Sequence, residues 1–241
     1  MDSIKTRAIV ARRADYKEAN CMLTLFAEGL GVISACCYGV KSKKSSLRAI
    51  AQPLCFAEFV LSKGTGDIYS VTGADMIESF YPISEDIEKL ALAGYFLEIT
   101  GDIFSAEDNA PLSLLLNTLY AIAYKNVENS IAKAVFELKM MQYSGYEPAL
   151  SACIKCGKEE AYAFSVAGGA VCSSCKTQAM PMLSKDVKAA MEYILKSDTK
   201  RIFAFELSKP SAETLAKMCE AYVLNKSDKR YKSLEYYKKL M

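Results

Sequence analysis

Read for its alternation of apolar and polar positions, the first 80 residues divide into five short runs: "SIKTRAIVAR", "NCMLTLFAE", "GVISACCYG", "LCFAEFVLS" and "DIYSVTGAD". Each is rich in β-branched or aromatic residues and bounded by turn formers, the pattern of half-buried strands. Gly29-Leu30-Gly31 can turn one hairpin and Gly64-Thr65-Gly66 another. Five short antiparallel strands suit a small closed barrel better than a sandwich, and the five-stranded OB-fold is such a barrel. The alternation is also compatible with an SH3-like barrel.

After Pro82 the period changes from two to that of a helix. Ser84, followed by Glu85-Asp86, predicts an N-cap with acids in the first turn. From there Ile87, Leu90, Ala91, Tyr95 and Leu97 keep helical spacing to about Phe104. A second helix is predicted from Pro111 to about Lys125. A third runs from Asn129 to about Ser144, with Ile131, Val135, Leu138 and Met141 on one face, and stops at Gly145 with Pro148 beyond. Two more are predicted over 184–196, capped by Ser184, and over about 211–224. "RIFAFEL" between them reads as a short strand or an extended connector. The pattern therefore predicts an α+β protein. An OB-fold nucleic-acid-binding domain covers 1–80, and a helical domain in two parts, 81–149 and 179–241, is interrupted by a cysteine module over 150–178.

That module is "CIKCGKEEAYAFSVAGGAVCSSC", two Cys-x-x-Cys pairs in a chain with no histidine. Each pair forms a turn that can set two sulfurs on one metal, and Gly157 can take positive φ after the second ligand. Between the pairs Tyr162, Phe164 and Val166 alternate and Gly168-Gly169 offers a hairpin turn. Cys153, Cys156, Cys172 and Cys175 are thus the expected ligands of a zinc-ribbon-like site. Lys155, Lys158 and Lys176 are near enough to offset its charge. A thioredoxin-type motif wants one Cys-x-x-Cys opening a helix in a βαβ setting, which is absent. Nine cysteines without a secretion signal argue against a disulfide framework. Four thiolates close the coordination sphere, so the zinc is expected to be structural. Cys21, Cys36, Cys37, Cys55 and Cys219 lie in apolar patterns and read as buried small hydrophobes.

Composition adds mainly exclusions. The chain of 241 residues is 51% apolar and 24% charged, as in a globular protein without disordered tracts. No signal peptide or membrane-spanning run is evident, and a cytoplasmic, membrane-free protein is expected. Without histidine, every Ser-His, Cys-His or His-metal arrangement is excluded. Phosphate-loop and dinucleotide fingerprints are absent too, so the chain reads as a binding protein and not an enzyme. Net charge is only +2, but it is segregated. Residues 1–66 hold ten Lys/Arg against five Asp/Glu, residues 75–110 nine acids against Lys89, and 225–241 six bases against two acids. One surface can therefore attract polyanions while another repels them.

The basic excess concentrates in "YGVKSKKSSLR", where Lys41, Lys43, Lys44 and Arg48 follow Tyr38, and in the pair Arg12-Arg13. OB-folds bind single strands by a basic groove along the phosphates and aromatic platforms under the bases. Tyr38, Tyr16, Phe26, Phe56, Phe59 and Tyr69 are the aromatics available, and strand alternation expects half or more of them inside the barrel. A zinc-ribbon scaffold that contacts only proteins, its lysines merely solvated, is the competing reading.

The order of these pieces resembles the RecO family of bacterial DNA repair and recombination mediators. "LTLFAEGLGVIS" looks like that family's strand–Gly–strand hairpin, and "YGVKSKKSSLRAIAQPLCFAEF" its basic loop leading into a Pro-containing strand. "GYFLEI" is similar to its Tyr-x-x-Glu helix, "FELKMMQYSGYEPALSACIKCG" with "FSVAGGAVCSSC" to its helix–Gly-Tyr-x-Pro–zinc junction, and "KRYKSLEYY" to its basic C-terminal signature. One departure is Tyr38, where the family usually has lysine; a tyrosine there can stack on a base. The resemblance implies binding of single- and double-stranded DNA and annealing of complementary strands. It also implies work with RecR and with the C-terminal tail of the single-strand-binding protein SSB, so that RecA is loaded on SSB-coated DNA at the nucleoid. By the same resemblance Arg12, Arg13, Tyr38, Lys41, Lys43, Lys44 and Arg48 would contact DNA, and the four module cysteines would hold zinc.

Overall fold

Strand alternation puts one face of each N-terminal run into a common core, and in the computed structural model, which describes residues 3–64 and 66–241, these runs close into a barrel. Its strands are β1 (Ser3–Tyr16), β2 (Asn20–Ala27), β3 (Gly31–Cys37), β4 (Phe56–Lys63) and β5 (Ile68–Glu78), in the order β1-β2-β3-β5-β4. All neighbours are antiparallel except β3 and β5, which close the barrel through a short parallel register, Ser34–Cys36 on Ile68–Ser70. This is the OB arrangement, with helix α1 (Leu47–Ile50) between β3 and β4. Strand β1 serves two partners, β4 along Ser3–Ile9 and β2 along Ala8–Tyr16, and a bulge between Val10 and Arg12 bends it from one to the other. Ala8, Val10, Leu23, Leu25, Phe59 and Leu61 fill the interior.

Gly29 and Gly31 both take positive φ in the β2–β3 hairpin. A Cβ on Gly31 would also stand 2.9 Å from the Ala106 nitrogen, so this turn needs glycine for conformation and for space. The second predicted hairpin does join β4 to β5, but Thr65 at its tip lies outside the described residues.

The chain divides into two compact units, 1–85 with 100–112, and 86–99 with 113–241. Within the first, segment 100–112 is tied to the barrel by the Phe26–Phe104 ring contact and by the Gly29 N–H donating to Asn109 Oδ1. The second contains α4 (Ala110–Tyr124) beyond its first turn, α5 (Asn129–Tyr143), α6 (Lys185–Lys196), α7 (Lys209–Ser227), α8 (Lys232–Leu240) and the hairpin β6 (Ala163–Ser165)–β7 (Gly169–Val171). Helix α3 (Ile87–Ile103) is shared between the units, and α2 (Tyr81–Ser84) is a single turn after the barrel. Among the described residues no helix is long and apolar enough to cross a membrane.

Four details differ from the sequence expectation. Asp86, not Ser84, caps α3, its Oδ1 accepting the N–H groups of Glu88 and Lys89, while Ser84 closes the α2 turn through the Tyr81 carbonyl. Helix α5 is buried on every side from Ala132 to Met141, including Lys133, Glu137 and Lys139, and does not present a single apolar face. "RIFAFEL" forms a turn and a connector without a strand. Helix α8 was not predicted at all, because its composition reads as a charged tail.

Candidate metal centre and nucleic-acid interface

The cysteine module is built as a hairpin with a turn at each end. At the first turn the Gly157 N–H donates to the Cys153 carbonyl at 2.8 Å, with Gly157 at φ +75°. At the second, the N–H groups of Cys175 and Lys176 converge on the Cys172 carbonyl. The four sulfurs lie within 4.8 Å of one another, and Cys156 and Cys172 are 3.6 Å apart. A tetrahedron with ~2.3 Å metal–sulfur bonds has edges of about 3.8 Å. The four thiols are therefore gathered closely enough to share one ion, and the cluster can hold a metal.

Electrostatics around the sulfurs favour thiolate at one corner. N–H groups of Cys172, Lys155 and Cys156 lower the Cys153 thiol to about 6 despite burial. Cys175 is pushed up to about 12, first because it hydrogen-bonds Cys156 and Cys172. Of the lysines expected to offset the charge, Lys155 reaches the Cys175 carbonyl at 3.3 Å. Lys176 instead lies over the Tyr162 ring and against the Met182 sulfur.

The module is locked to the helices by the chain just before it. Ala149 exchanges backbone hydrogen bonds with Gly168 and Ala170, adding a third strand-like segment beside the hairpin. Tyr146 is bonded through its backbone to Met141 and accepts the Tyr222 hydroxyl. Phe164 packs on Tyr222 at 5.6 Å. "GYEPA" is thus the hinge that seats the ribbon on α5 and α7.

At one end of the barrel, two loops are joined. The loop after β3 is pinned in the core by Val40, which is fully buried, and by Leu47 and Ile50 of α1. Its backbone meets the β1–β2 turn at two points: the Gly39 N–H donates to Asn20 Oδ1 at 3.0 Å and the Lys41 N–H to the Ala19 carbonyl at 3.1 Å. Lys41 also pairs with Asp15 at 3.0 Å. Lys43, Lys44 and Arg48 are exposed on this loop and helix and, among the described residues, carry no ion pair. Arg12 and Arg13 take opposite faces of β1, as neighbours in a strand must. Arg12 is exposed; Arg13 is half-buried, close enough to Cys21 and Cys37 to counter the rise that burial imposes on their thiols.

Of the six candidate aromatics, Phe26, Phe56, Phe59 and Tyr69 are buried, whereas Tyr16 and Tyr38 are exposed by 40% and 59%. Both belong to the joined loops. Tyr16 faces Asn20 across the β1–β2 ladder, Asn20 holds Gly39, and Lys17 lies 5.3 Å over the Tyr16 ring. The sequence already marks Tyr16 as an aromatic beside a basic run. That Asn20 links its strand end to the loop of Tyr38 depends on tertiary pairing that no local pattern carries.

The described residues thus form an OB barrel with a basic end, followed by helices that carry a four-cysteine ribbon. The comparison with known families agrees: the chain matches the recombination protein O N-terminal family over residues 1–80 and its C-terminal family over 84–235. It is 34% identical to the DNA repair protein RecO of Acetivibrio thermocellus, over the whole chain and 98% of that protein. To the RecO of Alkaliphilus metalliredigens it is 32% identical, over 98% of this chain and 99% of the relative. The chain belongs to the RecO family of DNA repair proteins.

Proposed function

We propose that the protein is a recombination mediator that binds single- and double-stranded DNA, anneals complementary strands and, with RecR, helps load RecA on SSB-coated DNA in the cytoplasm. The observation that carries this reading is the joined barrel end, whose two loops carry the exposed, unpaired Lys43, Lys44 and Arg48 and the exposed Tyr16 and Tyr38. A phosphate backbone following the cations leaves bases free to stack on Tyr38 and Tyr16. Two strands held so repel each other less, which is what annealing requires. Arg12, exposed on β1, adds a further cation to the barrel, while Arg13, half-buried, is better placed to stabilise the barrel mouth than to reach a phosphate.

Cys153, Cys156, Cys172 and Cys175 would hold zinc, which supplies a structural cross-link and no reactive position. For the SSB tail, an acidic peptide with an apolar end, a cavity of about 360 Å³ at α7 and α8 is the best candidate. Leu224, Tyr231 and Leu234 give it apolar walls, and Arg230 and Lys238, the latter paired with Glu220, stand on its rim with Glu235.

The test is annealing of complementary oligonucleotides, bare and SSB-coated, without ATP. Annealing on both is expected, and reversing charge at Lys41, Lys43 and Lys44 should abolish it. Reversing Arg230 should affect only coated strands. If the barrel reversals leave DNA affinity and annealing intact, the ribbon-scaffold reading holds instead.

A further inference from the structure

One contact at the barrel end runs against the charge of its surroundings. Asp15 Oδ2 lies 3.0 Å from Lys41 Nζ, the separation a phosphate oxygen would take. Both backbones are fixed independently of this pair. Asp15 stands opposite Cys21 in the β1–β2 ladder, and Lys41 donates its N–H to Ala19 next to the fully buried Val40. Contacts other than the pair itself therefore set the two residues within reach of each other. It also remains open to solutes, since the Asp15 side chain is 71% and that of Lys41 32% exposed. Lys43, Lys44 and Arg48 have no such partner among the described residues, so Lys41 alone on this loop is matched by a carboxylate.

We propose that Asp15 is an intramolecular competitor for the DNA backbone: it occupies Lys41 in the free protein and is displaced when a phosphate docks, which keeps strand binding reversible. The proposal rests on the DNA-binding reading above and assigns Asp15 a role within it. Its thermodynamic signature follows from counterion release. A lysine without a partner that binds a phosphate frees the cation condensed there, adding about 0.7 to the salt dependence for a single strand. A lysine that must first leave a carboxylate adds less, because the salt that screens the phosphate also weakens the ion pair it gives up. In the wild-type protein Lys41 thus adds less than a full share to the slope of log affinity against log salt. In Asp15→Asn it adds its full share.

The experiment measures binding of a fluorescent oligothymidylate to the full-length, zinc-loaded protein by anisotropy across a salt series. Wild type, Asp15→Asn, Lys41→Ala and the double variant are compared. Asp15→Asn should bind about threefold to tenfold tighter at low salt, with a slope steeper by up to about 0.7 and a gain that fades as salt rises. In the Lys41→Ala background the same substitution should leave the slope unchanged. Equal effects in both backgrounds would mean that Asp15 acts only as a nearby negative charge and would overturn the proposal, as would no effect in either. Wild-type protein without salt-dependent binding would overturn the DNA-binding reading itself, a result visible before any variant is compared.

Discussion

Glu137 is fully buried in α5, and its Oε1 accepts both the Tyr95 hydroxyl at 2.8 Å and the Lys133 ammonium at 2.9 Å. Its Oε2 has no hydrogen-bond partner among the described residues. Burial pushes this carboxyl up to about 7, although Lys133 pulls the other way. Burial opposes the Lys133 charge as well, but Glu137 and Glu220 together raise its pKa. Glu220 is held below the usual range because Lys133 and Lys238 outweigh its desolvation. Between about pH 4.5 and 7, then, Glu137 is the member of this network that titrates. A carboxyl whose native pKa exceeds its unfolded value binds its proton more tightly when folded, so stability falls as pH rises through that window. Urea unfolding of wild type and Glu137→Gln at several pH values should show the wild type losing on the order of 2 kcal/mol relative to the variant across it. A pH-independent difference would mean that Glu137 stays charged throughout. None of this was legible in the sequence, where Lys133, Glu137 and Lys139 look like the polar face of an ordinary surface helix. Lys139 shows why: its ammonium donates to the carbonyls of Ile194, Leu195 and Ser197, capping the end of α6 from a neighbouring helix. Helical periodicity cannot register a partner that lies more than fifty residues away.

Elements were legible in proportion to how much of their burial is local. The barrel strands alternate because one face of each is always inside, and the cysteine ribbon announces itself through spacing. Helix α8 does not, since only Leu234 and Tyr237 of its nine residues are buried and lysines surround them. The ribbon hairpin also depends on a contact its own sequence does not display. Gly169 sits at φ +139°, and a Cβ there would fall 2.1 Å from the Ala149 carbonyl oxygen, on the segment that pairs with the hairpin. Backbone cannot yield as a flexible side chain can, so Gly169→Ala must pull 145–149 away from the ribbon or abandon the turn. The cost is expected to be about 3 kcal/mol or more. Hydrogen exchange should show faster opening across 145–182 with the barrel unaffected. Unchanged protection of Ala149 and Ala170 amides would show that the turn adapts.

At the scale of the molecule, charge and cores are both partitioned. The cations proposed to meet DNA lie in the unit formed by 1–85 and 100–112, which has its own apolar interior. The cysteines lie in the other unit, where Cys153, Val171 and Cys172 form a small separate cluster with Cys175 and Met180 packed on it. A cluster of this size buries little apolar surface, so an ion held by the four cysteines would contribute folding energy there. Stripping the metal should therefore loosen the ribbon, and through the Phe164–Tyr222 and Tyr146–Tyr222 contacts it should reach α7. A thermal midpoint lower by several degrees is expected for the helical unit. The barrel shares none of those side chains, and perturbations without shared partners act independently. Affinity for an oligonucleotide should accordingly stay within about twofold after chelation, and restoring zinc should recover the midpoint without altering binding. If chelation instead abolishes oligonucleotide binding while the barrel's own unfolding transition is unchanged, the DNA-contacting surface extends onto the ribbon, and Lys155, Lys158 and Lys176 become its next residues to test.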